Sequence, residues 1–112
     1  MDIKIDPQTF TKLYQIAEGL EKKYPDGRNP FKIITRLAEE CGELAEQVNH
    51  FEQTGIKNEK HGTPNKSKMA KEVQDVIRCA LQIARYYKLD DELTQSIKHS
   101  HAKLKDAGFI KG

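Results

Sequence analysis

Residues 31–51, FKIITRLAEECGELAEQVNHF, and residues 67–87, SKMAKEVQDVIRCALQIARYY, decide how this chain folds. In the first, Ile34, Leu37, Cys41, Leu44, Val48 and Phe51 recur with spacings of three and four. In the second, Met69, Val73, Val76, Ala80, Ile83 and Tyr87 do the same. That period belongs to an amphipathic helix and to a packing seam. Beside each apolar stripe runs a polar one. It reads Arg36, Glu40, Glu43, Gln47, His50 in the first segment and Lys68, Glu72, Asp75, Cys79, Gln82, Tyr86 in the second. The pattern predicts two helices packed on their apolar stripes, with the carboxylates bordering the seam.

The punctuation outside these segments adds two more helices. Asp6-Pro7 reads as an N-cap followed by a Pro at the first helical position, and Phe10, Leu13, Tyr14, Ala17, Leu20 and Tyr24 follow helical spacing. Pro25-Asp26-Gly27 stops that helix and Asn29-Pro30 starts the second, which is expected to run to about Gln53. Thr63-Pro64 is expected to open the third helix, Asp90 to cap the fourth, and Gly108 to end it. With no alternating run to suggest a strand, the expected fold is all-α: an antiparallel four-helix bundle core in a single domain spanning residues 1–112.

Register brings the acidic pairs together. Glu40 and Glu43 stand about as far before the end of the second helix as Glu72 and Asp75 stand after the start of the third. At about 1.5 Å per residue an antiparallel return places them at nearly one level. Two unit charges 4 Å apart at a protein surface interact by about 4 kcal/mol at an effective dielectric of 20. Four carboxylates at one level therefore call for a hard, oxygen-preferring divalent cation, Mg²⁺ or Mn²⁺. A carboxylate-bridged di-iron bundle is excluded, since it requires a His three residues after a Glu on two helices and no Glu here has one.

Composition bounds the rest. The 112 residues are 37% hydrophobic and 32% charged, lean for a chain that buries a large core alone, which points to a partner subunit. With 19 basic residues against 17 acidic ones, the net charge of +2 gives no footprint for nucleic acid. The N-terminal MDIKIDPQTF has no signal-like apolar run and no stretch approaches a membrane span, so a cytoplasmic protein without membrane contact is expected. Cys41 and Cys79 stand outside any C-x-x-C and read as reduced packing residues.

The double block Glu39-Glu40-x-x-Glu43 and Glu72-x-x-Asp75, with LAEECGELAE in the first and ARYYKLD downstream, resembles the MazG-like, all-α nucleoside triphosphate pyrophosphohydrolases over residues 31 to about 104. The resemblance implies hydrolysis of a nucleoside triphosphate between its α and β phosphates, giving a monophosphate and pyrophosphate, with Mg²⁺ as cofactor and a homodimer or homotetramer as the working assembly. It implies metal ligation by Glu40, Glu43, Glu72 and Asp75. It assigns Glu39 to orienting or deprotonating the attacking water, and Lys68 and Lys103 to phosphate contact. The family's Asn-x-Lys-Phe stretch reads His101-Ala102-Lys103-Leu104 here, so Lys103 is retained while the Asn is not.

His50 continues the carboxylate stripe and is a candidate for stacking on the base. His99, His101, Tyr86 and Phe51 read as solvated or packing residues, and the loop carrying Lys57, Lys60, His61 and Lys66 as solvated. Two other functions fit the same helices: the phosphoribosyl-ATP pyrophosphohydrolase of histidine biosynthesis, and a non-catalytic interaction module. The CGELAE wording favours the first reading, and four intact acidic positions argue against the third.

Overall fold

A computed structural model describes residues 4–52 and 62–111. The described residues form four α-helices: α1 (Gln8–Lys23), α2 (Pro30–Phe51), α3 (Lys66–Tyr86) and α4 (Asp90–Asp106). A single 3₁₀ turn, Pro25–Gly27, joins α1 to α2. No strand occurs among the described residues.

Local chemistry sets the helix boundaries. The Asp6 side chain accepts from the Gln8 amide at 2.9 Å, and its carbonyl accepts from Thr9. Asn29 caps α2 through its Oδ1, which accepts from the Phe31 and Lys32 amides, with Pro30 filling the first helical position. Asn65 does the same for α3 through Ser67 and Lys68, so this helix starts just after the expected Thr63-Pro64. Asp90 is not the cap of α4 but its first residue; with Asp91 and Glu92 it places negative charge against the positive end of the helix dipole. Lys57, Lys60 and His61 of the connecting loop lie outside the described residues, and Lys66 is the first residue of α3.

α2 packs chiefly on α3, and α1 lies across α3. Among the described residues the buried apolar side chains are few: Leu13 and Ala17 from α1, Ile33 from α2 and Cys79 from α3. Arg85 of α3 clamps α1. It donates through Nε and one terminal nitrogen to both oxygens of Glu21 at 2.9–3.1 Å and lies 4.9 Å over the Tyr14 ring. These hydrogen bonds hold its guanidinium charged even more firmly than usual.

The seam differs from the expected one. Ile34 and Val48 of the α2 apolar stripe are exposed, as are Val73 and Tyr87 of the α3 stripe. The other half of each apolar stripe, Leu37, Leu44, Phe51, Met69, Val76 and Ile83, is half-buried, and much of the polar stripes turns inward beside it: His50, Cys79 and Gln82 are buried, and Arg36, Glu40, Gln47, Glu72 and Asp75 are half-buried. α4 adds no buried residue, and Leu93, Ile97 and Leu104 stand on its open surface. The chain is correspondingly open. Its radius of gyration is 16.9 Å, where a compact chain of this length gives roughly 13 Å. No helix among the described residues is long and apolar enough to cross a membrane.

Candidate metal centre

Turning the polar stripes inward brings acids from two helices together. Glu40 and Glu43, one turn apart on α2, and Glu72 on α3 each offer a carboxylate oxygen, and the three oxygens lie within 4.8 Å of one another. Glu40 and Glu72 are half-buried and Glu43 is exposed, so the group opens to solvent on one side. One oxygen of Glu40 and one of Glu72 are buried without a donor; the Gln47 amide oxygen, one turn beyond Glu43, is likewise buried and unpaired. Ionised carboxylates only accept, so these groups cannot satisfy one another unless a proton or a cation enters. Burial is the main cause that raises the Glu72 carboxyl from 4.5 to about 7, followed by its contacts with Glu40 and Glu43 and their charges.

The donor set fits a hard divalent ion. Octahedral coordination at about 2.1 Å keeps ligand oxygens within about 4.2 Å of each other, so the three carboxylates need only a small contraction to share one ion. Buried oxygens that lack a donor are what such an ion would satisfy.

Asp75, expected as the fourth ligand, stands apart from the three. Its Oδ1 is 2.6 Å from the Lys71 ammonium and 3.6 Å from the Arg78 guanidinium. Glu39 lies on an exposed flank of α2 that it shares with Phe31, Lys32, Thr35 and Arg36, and it does not join the acidic group. Lys68 is exposed one turn before Glu72. Lys103 is exposed in the last turn of α4, outside the two helices that form the cluster.

His50 is turned inward. It is 4% exposed, and its Nε2 lies 2.5 Å from the Gly62 carbonyl oxygen, which can only accept, so this nitrogen carries the proton and donates. The expected base-stacking residue therefore ties the end of α2 to the approach into α3.

Two polar residues that the sequence reading left without a role are deeply placed. Arg78 is 9% and Gln82 4% exposed. The Arg78 guanidinium donates to the Gln82 Oε1 at 3.3 Å and contacts the Cys79 sulfur at 3.2 Å. The signal for them was local: a single Arg inside VIRCALQIA, three residues after an Asp and four before a Gln.

Comparison with curated proteins and with solved structures gives no match. The family model of the MazG nucleotide pyrophosphohydrolase domain matches residues 28–106, a span holding α2, α3, the whole acidic cluster and α4. All-α helices and carboxylates paired across α2 and α3 agree with that match, and the chain belongs to the MazG nucleotide pyrophosphohydrolase family.

Proposed function

We propose that this chain is a divalent-metal-dependent hydrolase that cleaves a ribo- or deoxyribonucleoside triphosphate between its α and β phosphates, releasing the monophosphate and pyrophosphate. The observation that carries this reading is the trio Glu40, Glu43 and Glu72, in which one oxygen of Glu40 and one of Glu72 are buried without a donor. When bound, Mg²⁺ (or Mn²⁺) supplies neutralisation of the phosphate oxygens and acidification of a water. Glu40, Glu43 and Glu72 would hold it, and Asp75 would join them if it released Lys71, whose ammonium is exposed, and turned from the Arg78 guanidinium. Glu39 borders the ligand arc on α2 and orients the attacking water. Lys68 and Lys103 stabilise the departing pyrophosphate.

The reading takes α2 and α3 as an antiparallel pair. His50 meeting Gly62, Glu40 and Glu43 meeting Glu72, and Ile33 and Arg36 sharing a cavity with Arg78 and Gln82 support that direction. It also takes the working form as a homo-oligomer. The exposed apolar stripes supply the surface, and a second copy offers a route by which Lys103 approaches the carboxylates of its neighbour.

Pyrophosphate release from a panel of nucleoside triphosphates with Mg²⁺ tests the reading. Turnover is expected with Mg²⁺, none with chelator, and loss of at least a hundredfold in Glu43→Gln, on the order of what a missing charge-stabilising group costs. Unchanged turnover in Glu43→Gln would remove the metal assignment.

A further inference from the structure

A cavity of about 270 Å³ adjoins the acidic cluster, lined by Glu21 and Tyr24 from the α1 end, Ile33 and Arg36 from α2, and Arg78 and Gln82 from α3. It is one helical turn away along α2, where Arg36 precedes Glu40 by four residues. Along α3, Arg78 follows Glu72 by six residues, or about 9 Å of helix rise. A triphosphate held at the carboxylates would extend its ribose and base over that distance. The volume falls just under the roughly 300–1,000 Å³ typical of pockets for whole small ligands, so it suits one ring system and not a complete nucleotide.

The α2 and α3 walls present donors, and the one carboxylate of the lining, Glu21, stands on the α1 wall. Arg78 has donors only, so the Gln82 amide must turn its oxygen toward the guanidinium, as the 3.3 Å contact records. That leaves the Gln82 NH₂ group and those guanidinium N–H groups of Arg78 not directed at Gln82, Cys79 and Asp75 as donors at the cavity, with the Arg36 guanidinium a third source. Tyr24 and Ile33 provide apolar faces. We propose that this cavity is a base pocket selective for guanine, with Arg78 and Gln82 as the residues that determine specificity. The proposal rests on the nucleotide reading above and goes beyond it.

Guanine is the base whose N7 and O6 offer two adjacent acceptors with no donor beside them, and a guanidinium fork pairs with that edge. Adenine and cytosine each put an amino group next to an acceptor, and an edge of that kind set against the Arg78 fork would bring the amino group onto donors, with the Gln82 oxygen already engaged and Glu21 on the α1 wall. Uracil and thymine offer single keto acceptors separated by an N–H. Glu21, whose oxygens accept from Arg85 but retain lone pairs, provides an acceptor in the lining for the guanine N1–H and N2–H₂.

Two measurements on the full chain test this: pyrophosphate release from all eight common nucleoside and deoxynucleoside triphosphates with Mg²⁺, and calorimetric binding of GMP, AMP, CMP and UMP without metal. The expected kcat/KM for guanine nucleotides exceeds the others by on the order of tenfold or more, and GMP binds tighter than AMP by a similar factor. Arg78→Met and Gln82→Met should each erase the guanine lead. The second, which leaves the buried charge in place, serves if the first does not fold. Equal rates across bases, or a guanine lead that survives in Gln82→Met, would overturn the proposal while leaving the pyrophosphohydrolase reading intact. If no nucleotide releases pyrophosphate, that reading falls, and GMP binding no tighter than AMP binding then overturns the pocket assignment on its own.

Discussion

Glu72 carries a strong electrostatic signature. Its folded-state pKa of about 7 lies above the ordinary 4.5, so the native chain binds this proton more tightly than the unfolded chain does. Protonation therefore stabilises the fold; the contribution is complete below about pH 4.5 and is lost as pH rises through about 7. In chelator, the melting temperature should fall across that window, and Glu72→Gln should flatten the fall. A profile identical to wild type in that variant would refute the assignment. Millimolar Mg²⁺ should raise the melting temperature above pH 7 and progressively less below it. There the ion must displace the proton, at a cost of about tenfold in apparent affinity per pH unit. The trio was legible in the sequence because three- and four-residue spacings fix which side chains share a helix face. The ion pairs that occupy Asp75 were equally local, Lys71 four residues before it and Arg78 three after, but a cluster of acids drew the reading toward a cation from outside the chain.

At the scale of helices, the sequence disclosed where elements begin and end better than which face each one buries. Asn29-Pro30 and Gly108 marked boundaries through chemistry confined to a few residues. The packing faces depend on neighbours far along the chain: Glu21 and Arg85, 64 positions apart, fix α1 on α3, and no spacing rule connects them. Breaking this pair with Glu21→Gln should cost about 2 kcal/mol in denaturant unfolding. That is less than the roughly 3–5 kcal/mol of a fully buried pair, because the two side chains remain 10% and 20% exposed. A change under 0.5 kcal/mol would mean that the clamp is ornamental. The junction of α3 and α4 holds a second, opposite effect. Lys88 has φ of 54°, and the Leu89 and Lys88 amides return to the Ala84 and Arg85 carbonyls, closing the helix as Phe109 and Gly108 close α4. A left-handed position is strained for Lys and free for Gly. Lys88→Gly should therefore stabilise the fold by roughly 0.5–1 kcal/mol in the same measurement, whereas at an ordinary helical position the change would destabilise.

The whole molecule explains why the seam was misread. The chain exposes 8974 Å² of surface, where a compact monomer of its mass of 12.8 kDa exposes about 6,300 Å². The excess, about 2,700 Å² per chain or about 5,400 Å² for a pair, is at the upper end of what obligate homodimers remove, since their interfaces bury roughly 2,000–5,000 Å² or more over both chains. Each apolar stripe is divided along its length: Leu37, Leu44, Phe51, Met69, Val76 and Ile83 are half-buried, and Ile34, Val48, Val73 and Tyr87 are left open as surface a second chain would cover. A heptad pattern states that a stripe will be buried and is silent on whether the partner is the same chain or another. Light scattering at micromolar concentration should accordingly report at least two chains. Val48→Asp, at an exposed apolar position two residues before His50 and five beyond Glu43, should shift the mass toward a single chain by placing a charge in a desolvated contact. The same variant should lose helicity cooperatively at lower denaturant, because an open monomer with four buried apolar side chains among its described residues has little core to hold it. A wild-type protein that scatters as one chain, or a Val48→Asp variant that keeps both its mass and its denaturation midpoint, would place the missing burial elsewhere and return the apolar stripes to the role of intrachain packing.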